Sequence, residues 1–172
     1  SIATLPGMKE RTLIIDSVSK SFAMTGFRVG FATGPVHLIE LMTKCVENVY
    51  SAVATPSQYA ALVAFDKGME AMMAMKKEYK KRRDFLVSRI NEMDKISCIM
   101  PKGAFYVFAN IKKTGLSAEE FAERLLEKEH VAVIPGSNFS KNASGYVRIS
   151  YGTSMEKIED GLNRMERFLK SL

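Results

Sequence analysis

Apolar positions change spacing several times along this chain, and each change marks an element. Residues 12–16, Thr-Leu-Ile-Ile-Asp, form the short apolar run expected of a buried strand, and residues 28–33 predict a second. Residues 35–46 predict a short helix. At Thr55-Pro-Ser-Gln58 a capping box coincides with proline at the first helical position, and helical spacing then runs to about residue 94, with Gly68 as a break or kink. Within that stretch Tyr79, Leu86, Val87, Ile90 and Met93 make one apolar stripe.

Beyond it the elements shorten. Residues 96–100 and 104–109 predict paired strands around the turn Pro101-Lys-Gly103. Ser117-Ala-Glu-Glu120 is a capping box that opens a helix running to Glu129. Residues 131–134 and 145–151 predict two more strands. Thr153-Ser-Met-Glu156 predicts the cap of a last helix, whose Ile158, Leu162, Met165, Leu169 and Leu172 advance by threes and fours. In Tyr146-Val-Arg-Ile-Ser-Tyr151 the period of two puts Val147, Ile149 and Tyr151 on one face and Tyr146, Arg148 and Ser150 on the other.

This order predicts an α/β protein with a boundary near residue 55. Residues 1–55 hold two strands and a loop, too little for a sheet that stands alone. Residues 56–172 hold about four strands and three or four helices, enough for a self-contained α/β domain.

Composition narrows the class. A chain of 172 residues, 47% of them hydrophobic, can bury a real core. No stretch approaches the roughly 18 apolar residues of a membrane span, and the N-terminus lacks a basic region followed by a long apolar one, so a cytoplasmic address is the default. Cys45 and Cys98 lie far apart with no metal spacing and are expected to be reduced and structural; His37 and His130 are expected at the surface or at caps, and no metal is expected. The methionines that cluster at 69–75 suit helix packing. A net charge of +6 and the run Lys76-Lys-Glu-Tyr-Lys-Lys-Arg-Arg83 raise nucleic acid as a partner. On a helix those charges spread around the circumference above the apolar stripe, and no nucleic-acid motif accompanies them, which predicts a solvated face. A modest positive field also suits dicarboxylates and a phosphorylated cofactor.

The chemistry concentrates in Ser17-Val-Ser-Lys-Ser-Phe-Ala-Met-Thr-Gly-Phe-Arg-Val-Gly30. Lysine is the side chain that forms a Schiff base with an aldehyde, and arginine grips phosphate in a planar fork. An amine attacks a carbonyl only when unprotonated, which calls for desolvation or a neighbouring cation, and Arg28 is placed to supply one. Ser17 and Ser19 offer hydroxyls to phosphate oxygens; Gly26 and Gly30 let the backbone turn sharply or approach closely. Lys20 falls just past the carboxyl end of the first expected strand, where α/β sheets place ligands.

The run from Ser17 to Gly30 resembles the attachment-site motif of the class I and II aminotransferases, fold-type-I pyridoxal-phosphate enzymes: Ser, any residue, Ser or Ala, Lys, then Gly-x-Arg-x-Gly at this spacing. Pro101-Lys-Gly-Ala-Phe-Tyr106, Val133-Ile-Pro-Gly-Ser-Asn-Phe139 and Val147-Arg-Ile-Ser-Tyr-Gly152 resemble, in order, three landmarks of that family's C-terminal domain. The resemblance implies pyridoxal 5'-phosphate as cofactor and transfer of an amino group between an amino acid and a 2-oxo acid. It implies that Lys20 carries the cofactor and shuttles a proton between the substrate Cα and the cofactor's C4′ carbon. Ser17 and Arg28 would hold the phosphate with help from Ser19, and Arg148 would grip the substrate α-carboxylate.

It also implies the C-terminal part of the pyridoxal-phosphate transferase fold: residues 1–55 as the edge of a large-domain sheet, residues 56–172 as the small α/β domain, and a homodimer in the full-length protein. The family's glycine-rich phosphate loop, its pyridine-pairing aspartate and the tyrosine and asparagine at the phenolic oxygen have no counterpart here. The 172 residues alone are therefore expected to transaminate weakly or not at all. C–S β-lyases and aminocyclopropane-carboxylate synthases share the motif and the arginine, so elimination or cyclisation stays open. So do a non-catalytic regulatory module and a purely structural piece. Phe22-Ala-Met-Thr-Gly26 resembles bacterial aspartate and aromatic aminotransferases, without deciding the substrate.

Overall fold

In the computed structural model, which describes residues 1–49 and 51–172, the chain divides into Ser1–Met75 and Lys76–Leu172. In the first unit β1 (Ile14–Ser17) and β2 (Gly30–Thr33) pair antiparallel, with Ile14 opposite Thr33 and Ser17 opposite Gly30. The connection holds a single helical turn, α1 (Val18–Ser21), and a 3-10 turn at Thr25–Phe27. The strand expected from Arg28 starts two residues later, because Arg28 takes the left-handed conformation (φ 57°), which no strand accommodates.

The first strand is not buried as its apolar run predicts. Ile15 is 71% exposed. A two-stranded ribbon turns alternate residues to opposite sides, and the side that carries Phe31 meets Phe65 at 5.4 Å between ring centres while Ile15 points the other way.

The helices α2 (Val36–Val49) and α3 (Thr55–Lys67) follow. The expected capping box at Thr55 is absent. Thr55 already lies inside α3, the cap position falls on Ala54 without a side-chain bond, and Gln58 donates from Nε2 to the Val53 carbonyl at 2.7 Å instead. Proline just inside the helix start compensates by presetting the backbone. The break expected at Gly68 is present: α3 ends there and α4 (Met69–Glu92) begins. Packing also requires glycine at this position, since a Cβ on Gly68 would stand 2.9 Å from the Phe22 ring. Phe22 also meets Phe65 edge-on at 5.6 Å, which fixes the segment just past Lys20 against this corner.

The second unit is a two-layer α/β arrangement. Strands β3 (Ser97–Cys98), β4 (Tyr106–Asn110), β5 (Ile134–Pro135) and β6 (Tyr146–Ser150) form one antiparallel sheet in the order β3-β4-β6-β5. Strands β3 and β4 pair as expected, but residues 99–105 connect them in a loop wider than the turn expected at Pro101 to Gly103. The strand expected over 131–134 shrinks to β5, because Val131 and Val133 pack into the core before pairing begins.

Leu86, Val87 and Ile90 of α4 gather over one face of this sheet with α5 (Ala118–Glu129) and α6 (Met155–Lys170). Phe121, Leu125, Leu162, Met165 and Phe168 are each at most 2% exposed and join Val107, Ala109 and Val147 in one cluster. Helix α5 opens with the expected capping box, Ser117 and Glu120 bonding reciprocally at 3.2 and 3.1 Å. Helix α6 is capped by Ser154 rather than Thr153, one hydroxyl later. The basic run of α4 is largely paired along its own helix: Arg82 and Lys81 meet Glu78, and Lys80 and Arg83 meet Asp84. Hydrogen bonds from Lys80 and Arg83 hold the Asp84 carboxyl below the usual carboxylate range. Among the described residues no helix is long and apolar enough to cross a membrane.

Candidate active site

The β1–β2 hairpin gathers the residues of the lysine motif. Ser17 ends β1 and caps α1, its Oγ accepting from the Ser19 backbone N–H at 3.3 Å. Lys20 and Arg28 are exposed, Ser17 and Ser19 half-buried. Val18 is fully buried, and its N–H donates to the Val29 carbonyl at 3.3 Å. That bond returns the chain to the end of β1, so Arg28 comes back beside the turn that carries Lys20. The left-handed conformation of Arg28 folds its side chain over the preceding turn, where Nη1 donates to the Thr25 carbonyl at 2.8 Å. A Cβ on Gly30 would stand 3.2 Å from the Asp16 carbonyl oxygen. Gly26, by contrast, lines an open hollow of about 400 Å³ with Phe27, Arg28, residues 52–54 and Ser57.

Arg148 belongs to the second unit and is described with it. The sheet alternation puts it where the sequence does: Val147 and Tyr151 are 0 and 1% exposed on the helix-covered face, while Arg148 is half-buried on the open one. It stands opposite Phe108 of β4 and Ile134 of β5. Its guanidinium carbon lies over the Tyr106 ring, 4.2 Å from the ring centre, and over the Phe139 ring at 4.5 Å. Among the described residues Arg148 makes no hydrogen bond and no ion pair.

Neither ring partner carries an expected role. Tyr106 and Phe139 each close one of the landmark segments, and a period-two reading of β4 puts Tyr106 on the Arg148 face; that alternation was the available signal. The same face holds a hollow of about 710 Å³ bordered by Tyr106, Phe108, Tyr146 and the β3 edge. Cys98 lies on that border, and burial pushes its thiol up to about 11, whereas Cys45, also expected to be structural, is exposed. His130 is the left-handed cap that ends α5.

The loop carrying Phe139 is held tightly. The Phe139 N–H donates to the Gly136 carbonyl at 2.9 Å, and Ser137 Oγ hydrogen-bonds Glu119, lowering that carboxyl's proton affinity. A Cβ on Gly136 would stand 2.7 Å from the Tyr146 carbonyl oxygen and closer still to that of Ala143. Both are backbone atoms and cannot rotate away. Gly136→Ala is therefore expected to cost about 1–3 kcal/mol as an overpacked site. Thermal unfolding checks it, and an unchanged Tm would mean that the loop yields.

Known proteins resemble this chain along nearly its whole length. The family model for aminotransferase class I and II matches residues 2–165. YugH of Bacillus subtilis is 49% identical over 98% of this chain and 44% of its own length. The aspartate aminotransferase of Pyrococcus abyssi is 46% identical over 99% of this chain and 44% of its own. Among solved structures, the aromatic aminotransferase of Pyrococcus horikoshii superposes with a TM-score of 0.96 at 46% identity, covering 99% of this chain and 46% of that one. The chain thus spans less than half the length of the relatives it matches. With the lysine motif on its hairpin, the arginine on its sheet and a family match along nearly the whole length, the chain belongs to the class I and II aminotransferase family.

Proposed function

We propose that this chain is the C-terminal portion of a pyridoxal-phosphate-dependent aminotransferase that moves an amino group between an amino acid and a 2-oxo acid. The observation that carries the reading is the donor set on the β1–β2 hairpin: one amine, one guanidinium and two hydroxyls on neighbouring turns. That set fits a phosphorylated aldehyde. Among the described residues Arg28 makes one hydrogen bond, to Thr25, which leaves the rest of its fork for phosphate oxygens. Ser17 Oγ accepts from Ser19, so its own hydroxyl hydrogen can still be donated.

When bound, pyridoxal phosphate supplies the electron sink that makes the substrate Cα acidic. Lys20 would anchor it through its amine, and once the substrate's amino group had displaced that amine, the freed Lys20 Nζ would take the Cα proton. Arg28, Ser17 and Ser19 hold the phosphate. Arg148 binds the substrate α-carboxylate, the group that amino acid and 2-oxo acid share, and so serves both half-reactions. Supporting the aspartate or aromatic class of substrate are the relatives themselves, an aspartate aminotransferase and an aromatic aminotransferase.

Residues 1–55 fit an edge of a large cofactor-binding domain. Ile15, Val36 and Val49 are 71, 72 and 77% exposed, an apolar surface of the kind that a further layer of protein covers. The test is oxo-acid-dependent amino transfer by the longer protein, with the 172 residues assayed beside it. Transfer is expected from the longer protein, and less than about one hundredth of it from this chain, because this reading puts the partner of the pyridine nitrogen in the rest of the longer protein. Pyruvate and ammonia released without an oxo-acid acceptor would assign elimination instead.

A further inference from the structure

Arg148 sits in a slot between two aromatic rings that arrive from different parts of the second unit. Tyr106 stands on β4 opposite Ser150, one diagonal step from Arg148, and Phe139 follows the 3-10 turn at Gly136–Asn138. Each ring is backed by another: Phe105 lies 4.5 Å from Tyr106, and Phe108 meets Phe139 edge-on at 5.7 Å. Phe105 packs against the buried cluster, but Phe108 and Phe139 do not fill a core. Phe108 and Phe139 are 38 and 49% exposed, while the buried cluster lies on the opposite face of the sheet.

A guanidinium is planar. Its faces are drawn to the negative faces of aromatic rings, and its N–H donors all point outward in the plane. Rings placed over the plane therefore hold the group without using a donor. A long arginine side chain left to itself samples many rotamers, and each unproductive one weakens a bidentate grip. Since Arg148 has no hydrogen bond or ion pair among the described residues, ring contact is the restraint that remains.

We propose that Tyr106 and Phe139 are positioning residues: they clamp the Arg148 guanidinium by its faces so that its N–H edge is presented as a fixed fork to the substrate carboxylate. The proposal rests on the reading of Arg148 as the carboxylate grip. In this role the rings act through Arg148. Leucine keeps the bulk of either ring while removing the π face, whereas Tyr106→Phe and Phe139→Tyr keep the face.

In the longer, cofactor-loaded protein, Tyr106→Leu and Phe139→Leu are each expected to raise KM for both amino acid and oxo acid about three- to thirtyfold, the worth of one cation–π contact. The effect on kcat should be small, because the carboxylate is gripped alike in ground and transition states. Tyr106→Phe and Phe139→Tyr should stay near the parent KM. A second readout needs no turnover. In the arginine-labelled longer protein, with and without cofactor, the Arg148 side-chain resonance is identified by its loss in Arg148→Lys. It should be displaced upfield by ring currents and should return toward the free-arginine position in the leucine variants.

An undisplaced resonance in the parent protein overturns the clamp without any variant. So do leucine variants with parent KM, or ring-preserving variants that lose as much as leucine. If Arg148→Lys itself leaves KM unchanged, the carboxylate reading fails. If Arg148→Lys is impaired while both leucine variants behave as parent, the clamp alone fails.

Discussion

Replacing Lys20 with alanine is expected to abolish covalent capture of pyridoxal phosphate and to lower amino transfer by the longer protein about 10⁴-fold or more, the scale set by losing an anchor that is also the base. The argument comes from the hairpin. Lys20 is exposed on a one-turn helix whose start is fixed by the buried Val18 and whose end is fixed by Phe22 against Phe65 and Gly68. The backbone that carries the side chain is thus held on both sides of the lysine. Thermal unfolding of Lys20→Ala beside the parent protein separates lost chemistry from lost folding. Borohydride reduction of the loaded protein followed by peptide mass analysis reads the attachment directly. The label should fall on Lys20 and vanish in the variant; a label on any other residue overturns the assignment.

How much of this was legible beforehand depended on whether neighbouring sequence or distant packing decided the feature. The alternation across residues 146–151 was legible because the two faces of β6 meet different surroundings, helices on one and an aromatic surface on the other. The break at Gly68 was legible as a break, but the packing that requires glycine there, the Phe22 ring crowding the place of a Cβ, comes from a residue far back in the chain. Cap positions slipped where two candidates were adjacent. Thr153 and Ser154 are both hydroxyl residues, and the extended backbone at Ser154, with φ −64° and ψ 157°, decided between them. The exposure of Ile15 was not legible, since an apolar run states what a strand prefers and not what stands beside it. For the same reason the clamp went unseen: Tyr106 and Phe139 meet Arg148 only once two sheet registers and a tight loop are in place.

Arg148→Lys carries the other large effect, and its direction separates recognition from stability. Arg148 has no hydrogen bond or ion pair among the described residues, so folding loses little beyond two ring contacts. A substrate loses more. Lysine keeps the charge but offers a point in place of a fork, and losing one charge-assisted hydrogen bond of about 1.5–3 kcal/mol raises KM roughly 10- to 150-fold. Alanine removes both bonds and the charge, and should be worse by a further factor of about ten. Because the carboxylate is common to both substrates, KM for the amino acid and for the 2-oxo acid should rise together, and an amine without a carboxylate should react no worse than with the parent protein. Steady-state kinetics in both directions checks this. A rise confined to one substrate would mean that Arg148 reads the side chain, and the carboxylate grip would then have to be sought elsewhere.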